Sequence, residues 1–197
     1  MYPVFESIAV IDGAYQNLEA HNQRVQRTAQ ALWQQKKPLN YLETCLPAPP
    51  IEGVYKCRFL YGANEHQTVF KPYVPRHVLR LILVEEPNLL YNYKFTNRTL
   101  IEAHTQHLSH NDDVLFTQNG FIRDTSYANV ALYRDGKWYT PETPLLQGTR
   151  RDVGIRSGEL IPVPIHVNDL RYFETITWFN AMLPIGHYCL PIEAIGY

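Results

Sequence analysis

The chain is short of cysteine, of unbalanced charge and of long apolar runs, and each shortage argues against a class of protein. Cys45, Cys57 and Cys189 are odd in number, far apart and without a C-x-x-C pair. That argues against a disulfide framework and fits a reducing compartment, with the three read as buried or incidental thiols. No apolar stretch approaches the roughly 20 residues of a spanning helix, and Met1-Tyr-Pro-Val-Phe-Glu6 has neither a basic n-region nor an apolar h-region. A soluble, cytoplasmic protein that uses no membrane is therefore expected. Lysine and arginine total 18 against 19 acidic residues, so no positive field exists to gather nucleic acid, and a small-molecule partner is expected instead. Internal repeats and low-complexity segments are lacking as well. What the chain does have is 45% hydrophobic residues over 197 positions, enough to bury a sizeable core in one domain or two small ones.

Punctuation and periodicity organise this material. Asp12-Gly13 interrupts the apolar run from Ile8 to Tyr15 and tolerates positive φ, which predicts a β-hairpin. Leu18, Val25, Ala29 and Leu32 recur at helical spacing, predicting an amphipathic helix from an N-cap at Asn17 to about Gln35, with His21 and Arg24 on or beside its apolar edge. Pro38 ends it, and Pro47-Ala-Pro-Pro50 is an exposed connection. β-Branched segments near 54–61, 67–74 and 78–84 predict a mainly antiparallel sheet. Pro87-Asn88 then marks a boundary between an N-terminal α/β subdomain, 1–88, and a β-rich C-terminal subdomain, 89–197. Beyond Lys94, a helix is expected from Thr99 to about Ser109, a strand over 114–120, a hairpin of 129–133 with 137–140 around Asp135-Gly136, and a helix after Gly148 that ends near Gly158.

Taken singly, the polar residues admit bland readings. Lys94, in the tyrosine-rich Tyr91-Asn-Tyr-Lys94, could simply reach for solvent. Asp124 could be a turn acid, Arg24 could pair with a surface acid, and Thr149 could cap a helix. His104, His107 and His110 step by three around a helix with no carboxylate to complete a shell, so a solvated face is expected and no metal site. Arg150, Arg151 and Arg156 sit in a near-neutral chain, which argues against a polyanion patch.

Their order says more. Phe5-Glu-Ser7, His21-x-x-Arg24, Lys94 before Thr96-Asn97-Arg98, Asp124-x-x-x-x-Asn129, Asp135-Gly136, Thr140-Pro141 and Leu146-x-Gly148-Thr149-x-Arg151 together resemble the class IV pyridoxal-phosphate family of aminotransferases and 4-amino-4-deoxychorismate lyases over nearly the whole chain. The resemblance implies a shortened member of fold type IV: a compact α/β (α+β) protein of two small subdomains with pyridoxal 5'-phosphate in the cleft between them. It implies the Schiff-base role for Lys94, whose amine condenses with the cofactor aldehyde and is released when a substrate amine exchanges in. Asp124 takes the place of the family acid, usually glutamate, that keeps the pyridine nitrogen protonated. Arg24 matches the arginine that grips the phosphate, Gly148, Thr149 and Arg150 match its second contact at a helix N-terminus, and Asn180 with Ala181 falls at a further phosphate-proximal loop.

Among family activities the resemblance is nearest the lyase of folate biosynthesis, which releases 4-aminobenzoate and pyruvate. A D-amino-acid or branched-chain aminotransferase is the alternative, and a degenerate member that binds without catalysis is a third. Relatives are homodimers, and a homodimer is expected here. Arg76, Tyr93 and Arg98 are candidates for holding the substrate's carboxylates.

Overall fold

The computed structural model describes residues 2–196. The chain builds two compact units, one from the residues up to Val74 together with Tyr93–Asn97, the other from Pro75–Asn92 and Arg98 onward. The Pro87-Asn88 break thus lies inside the second unit, and the stretch that carries Lys94 belongs to the first. No helix among the described residues is long and apolar enough to cross a membrane.

The first unit is an antiparallel sheet, order β2-β1-β3-β4, built from β1 (Val4–Ile11), β2 (Ala14–Tyr15), β3 (Val54–Tyr61) and β4 (His66–Pro72). Asp12 and Gly13 take φ of 44° and 80°, which closes the expected hairpin. Alternation along β1 sends Val4, Glu6, Ile8 and Val10 to one face and Phe5, Ser7, Ala9 and Ile11 to the other. Helix α1 (Leu18–Trp33) packs on the first face, where Val4, Ile8, Val10, Val25, Cys57, Phe59 and Tyr61 make the core with Leu42 of a short helix α2 (Tyr41–Cys45). Asn17 stands at the N-cap as expected, but in a left-handed conformation with no capping side-chain hydrogen bond, so burial of the apolar stripe supplies the stability.

The three segments expected to share one sheet do not. β5 (Arg80–Glu85) pairs in parallel with β6 (Asp112–Gln118) in the second unit, where Arg80 Nη2 meets Asp112 Oδ2 at 2.6 Å. Pro72 and Pro75 cannot donate to a ladder, so the chain leaves the first sheet there. Between β5 and β6 lies helix α3 (Thr99–Thr105), shorter than expected.

The second unit contains two sheets. One has the order β13-β5-β6-β7, with β7 (Phe121–Thr125) antiparallel to β6 and β13 (Ile195–Gly196) parallel to β5. The other has the order β10-β9-β8-β11-β12, from β8 (Asn129–Arg134), β9 (Lys137–Pro141), β10 (Leu160–Val163), β11 (Thr175–Phe179) and β12 (Cys189–Pro191). Asp135 and Gly136 close the β8–β9 hairpin at φ of 49° and 76°. Helix α4 (Thr149–Ser157) links β9 to β10 and ends at Gly158 in the left-handed conformation, as a glycine C-cap should.

Candidate active site

Lys94 is placed by backbone pairing along the start of β1, with no strand of its own. The Phe5 N–H donates to the Lys94 carbonyl at 3.0 Å, Phe95 bridges to Val4, and the Thr96 N–H donates to the Pro3 carbonyl at 2.8 Å. This hands Lys94 to the face of the sheet opposite α1, where its Nζ lies 4.9 Å from the centre of the Phe5 ring. The Arg58 guanidinium lies 4.4 Å from the same ring.

On the α1 face, the buried Glu6 carboxylate gathers two residues one helical turn apart. His21 Nδ1 donates to Glu6 Oε2 at 2.6 Å, Arg24 Nε donates to Oε1 at 2.9 Å, and Arg24 Nη2 donates to Oε2. Glu6 and His21 are fully buried and Arg24 is 6% exposed. Burial alone would raise the Glu6 pKa, but the Arg24 charge and the His21 hydrogen bond and charge outweigh it and hold the carboxyl at about 2. Burial pushes His21 below its ordinary value against the pull of Glu6, so the ring is neutral near pH 7, with its proton on Nδ1. Glu6 enters the sequence reading only as part of a motif. A carboxylate inside the apolar alternation Val4, Ile8, Val10 was the signal that it has a buried partner.

Linkage gives this trio a sign. Glu6 is depressed in the fold from 4.5 to about 2, so its contribution is present above pH 4.5 and is lost as pH falls through the folded value, roughly 3 kcal/mol in all. His21 resists protonation only in the fold and removes further stability below pH 6.5. Glu6→Gln is expected to cost about 3–5 kcal/mol at pH 7, because a buried guanidinium loses its counter-charge, and to flatten acid unfolding followed by circular dichroism between pH 5 and 2. Equal acid sensitivity in wild type and variant would refute the pairing.

In the second unit, Asp124 sits on β7 at 4% exposure. Asn129 Nδ2 donates to its Oδ1 and the Leu146 N–H donates to its Oδ2, both at 2.9 Å. Burial lifts its pKa from 3.8 to about 6 despite these donors. Asn129 Nδ2 also donates to the Leu146 carbonyl at 2.9 Å, and a Cβ on Gly148 would lie 1.9 Å from Asn129 Oδ1. Gly148 has an ordinary φ of −72°, so a lack of room, and not its backbone conformation, demands glycine there. Gly148→Ala would displace Asn129 and is expected to lower Tm of the cofactor-free protein on the order of 5 °C. An unchanged thermal scan would show the contact to be slack.

Gly148 is the N-cap of α4 and Thr149 is its first, buried residue. Arg150 Nε donates to the Asn180 carbonyl at 2.8 Å, while the Asn180 side chain accepts from Met182 N at 2.8 Å and Leu183 N at 3.2 Å. Arg150 thus braces the Asn180 turn against the start of α4, and Arg151 Nη2 reaches the Pro141 carbonyl at 2.7 Å. Asp124, Gly148, Thr149, Arg150 and Asn180 thus lie in one unit, while Lys94 and Arg24 lie in the other, on opposite faces of its sheet.

The remaining sequence candidates have structural duties. Arg76 Nη2 donates to the Asp112 carbonyl and its Nη1 lies 3.6 Å from Asp113. Arg98 Nη2 donates to the Ser126 carbonyl at 2.6 Å, and Tyr93 packs edge-on to Phe95 against the first core. His104 meets Glu86 at 2.9 Å.

Residues 58–195 match the family described as amino-transferase class IV. A Haemophilus influenzae protein described as uncharacterized is 29% identical over 185 residues, covering 92% of this chain and 98% of that one. The crystal structure of a Haemophilus somnus protein provisionally identified as a 4-amino-4-deoxychorismate lyase is similar at TM-score 0.85 and 26% identity, covering 94% of this chain and 98% of that one. A hypothetical aminotransferase of Mycobacterium tuberculosis, with α-ketoglutarate and pyridoxamine phosphate bound, is similar at TM-score 0.75 and 19% identity over 98% of this chain and 81% of its own. At that identity the likeness concerns the fold alone. The mixed α/β architecture of several sheets and few helices matches fold-type IV aminotransferases.

Proposed function

We propose, from the premise that this chain belongs to the amino-transferase class IV family, that it is a 4-amino-4-deoxychorismate lyase forming 4-aminobenzoate and pyruvate. The family is pyridoxal-phosphate dependent and the chain is an enzyme of it. The observation that carries the cofactor reading is the donor set: an amine beside Phe5, a buried guanidinium, a buried acid with a raised pKa, and a helix start where only glycine fits. These are the groups an aldehyde, a phosphate and a pyridinium require, so the residues fit pyridoxal 5'-phosphate. The likeness to the Haemophilus somnus protein over 98% of its length supports the lyase in particular.

Bound, the cofactor supplies an electron sink for the charge left on the amine-bearing carbon when a bond to it breaks. Lys94 Nζ would hold it covalently and, displaced by the substrate amine, would take a proton from the neighbouring carbon. Asp124 would pair with the ring nitrogen. A cation there would draw its raised pKa back down, as its Asn129 and backbone donors already do in part. Arg24, whose plane Glu6 fixes through Nε and Nη2, is the first unit's candidate for the phosphate, and the first N–H groups of α4 with the Thr149 hydroxyl are the second unit's. Arg150 and Asn180 would act by fixing the turn beside that helix start.

A class IV aminotransferase, specific for D-amino or branched-chain acids, is the second reading, supported by the match to the amino-transferase class IV family over residues 58–195. Mixing the loaded enzyme with aminodeoxychorismate and assaying pyruvate tests the lyase, and its absence would sink that reading. Amino transfer from D-alanine or a branched-chain acid would instead support the second. Failure of both, with no cofactor fixed by borohydride, would leave a non-catalytic binder.

The proposal extends to a homodimer working in folate biosynthesis in the cytoplasm. A monomeric loaded enzyme in sedimentation would overturn the dimer.

A further inference from the structure

Register places one charge on the sheet face opposite α1. Directly paired residues of antiparallel strands share a face, so Phe5, Ser7 and Ala9 of β1 stand beside Leu60, Arg58 and Lys56 of β3, and these beside Gln67, Val69 and Lys71 of β4. None of these strand residues is acidic, and three are cations. Arg58 and Lys94 both lie over the Phe5 ring, at 4.4 Å and 4.9 Å from its centre. Arg58 Nε is buried without a hydrogen-bond partner, although buried polar groups normally have one. Burial, then Arg58 and Lys71, pushes the Lys56 ammonium below its ordinary value, which marks a face that accumulates positive potential.

A guanidinium over the same ring as the amine at which a substrate would arrive, with its buried Nε lacking a hydrogen-bond partner, suits a carboxylate. Bidentate capture uses the planar fork, and the ring keeps it in plane. We propose that Arg58 receives a carboxylate of the substrate, with Lys56 and Lys71 drawing in a dianionic amine, so that the chain selects dicarboxylates over neutral-side-chain amino acids. This rests on Lys94 being the amine that meets substrate.

The test compares wild type with Arg58→Met, Arg58→Lys and Lys56→Met. It reads borohydride-fixed cofactor on Lys94, kcat and KM for aminodeoxychorismate, and calorimetric titration with 4-aminobenzoate and with inorganic phosphate. Arg58→Met is expected to keep the fixed cofactor and the phosphate affinity while raising KM and weakening 4-aminobenzoate roughly 10- to 100-fold, with kcat changed far less. Arg58→Lys should recover part of that loss as a point charge, and Lys56→Met should raise KM several-fold at low salt only. Unchanged KM and 4-aminobenzoate affinity, or a loss of phosphate or cofactor in place of carboxylate binding, overturns the assignment. Should Arg58→Met fail to fold, the same readings on Arg58→Lys decide it. If wild type fixes no cofactor, the reading of the reaction falls, and the 4-aminobenzoate titration still decides Arg58: binding lost in the variants supports it, and none in wild type ends it.

Discussion

Lys94→Ala is expected to lower kcat at least about 10³-fold if, as proposed, one side chain supplies both the covalent anchor and the proton transfer. The protein should survive the change. Lys94 is half-buried, and its ring contact with Phe5 contributes about 0.5–1 kcal/mol at such a site. Circular dichroism and Tm should therefore stay close to wild type while borohydride no longer fixes pyridoxal phosphate to the chain. The backbone pairing that positions residue 94 uses carbonyl and N–H groups that alanine retains. A variant that kept even a tenth of wild-type turnover would remove Lys94 from the chemistry.

Asp124→Asn carries the second large effect, a fall in kcat of about 10²–10³-fold, by removing the charge that, as proposed, would face the ring nitrogen. Its stability signature runs opposite to that of Glu6. The folded pKa of Asp124 is raised from 3.8 to about 6, so the fold holds the proton more tightly than the unfolded chain does. That stabilisation is present below pH 3.8 and is lost as pH rises through the folded value, roughly 3 kcal/mol over the interval. In cofactor-free protein the difference in unfolding free energy between wild type and Asp124→Asn should drift by that amount between pH 4 and 7. Both Asp124 oxygens accept hydrogen bonds from Asn129 and Leu146, so the new amide faces a donor and costs about 1–3 kcal/mol besides. Added pyridoxal phosphate should shrink the wild-type drift, because a positive ring nitrogen stabilises the carboxylate. A pH-independent difference, with or without cofactor, would show that Asp124 is not the titrating group.

Much of the local structure was legible. Asp-Gly pairs closed both predicted hairpins, at Asp12-Gly13 and Asp135-Gly136, and Gly158 ended α4, because positive φ is a demand that two or three residues state on their own. Helix α1 followed from its apolar spacing. The ordered motifs from Phe5 to Arg151 pointed to the family to which the chain belongs. Partnerships across the chain were not legible. β5 joined β6 and β13 rather than β3 and β4, since an apolar, β-branched run fits either sheet and its sequence states no partner. Nor did any local pattern announce that Arg76 and Arg98 donate to carbonyls of β6 and of Ser126.

The sequence by itself determined which segments turn, coil or extend, because propensity and periodicity act over a few residues, and its ordered motifs pointed to the family. Only the tertiary structure decided that Glu6 closes on His21 and Arg24, that Asn129 holds Asp124 and excludes any side chain at Gly148, and that Arg58 shares the Phe5 ring with Lys94. Those pairings are set by strand register and by burial, which depend on residues far apart in the chain meeting at once.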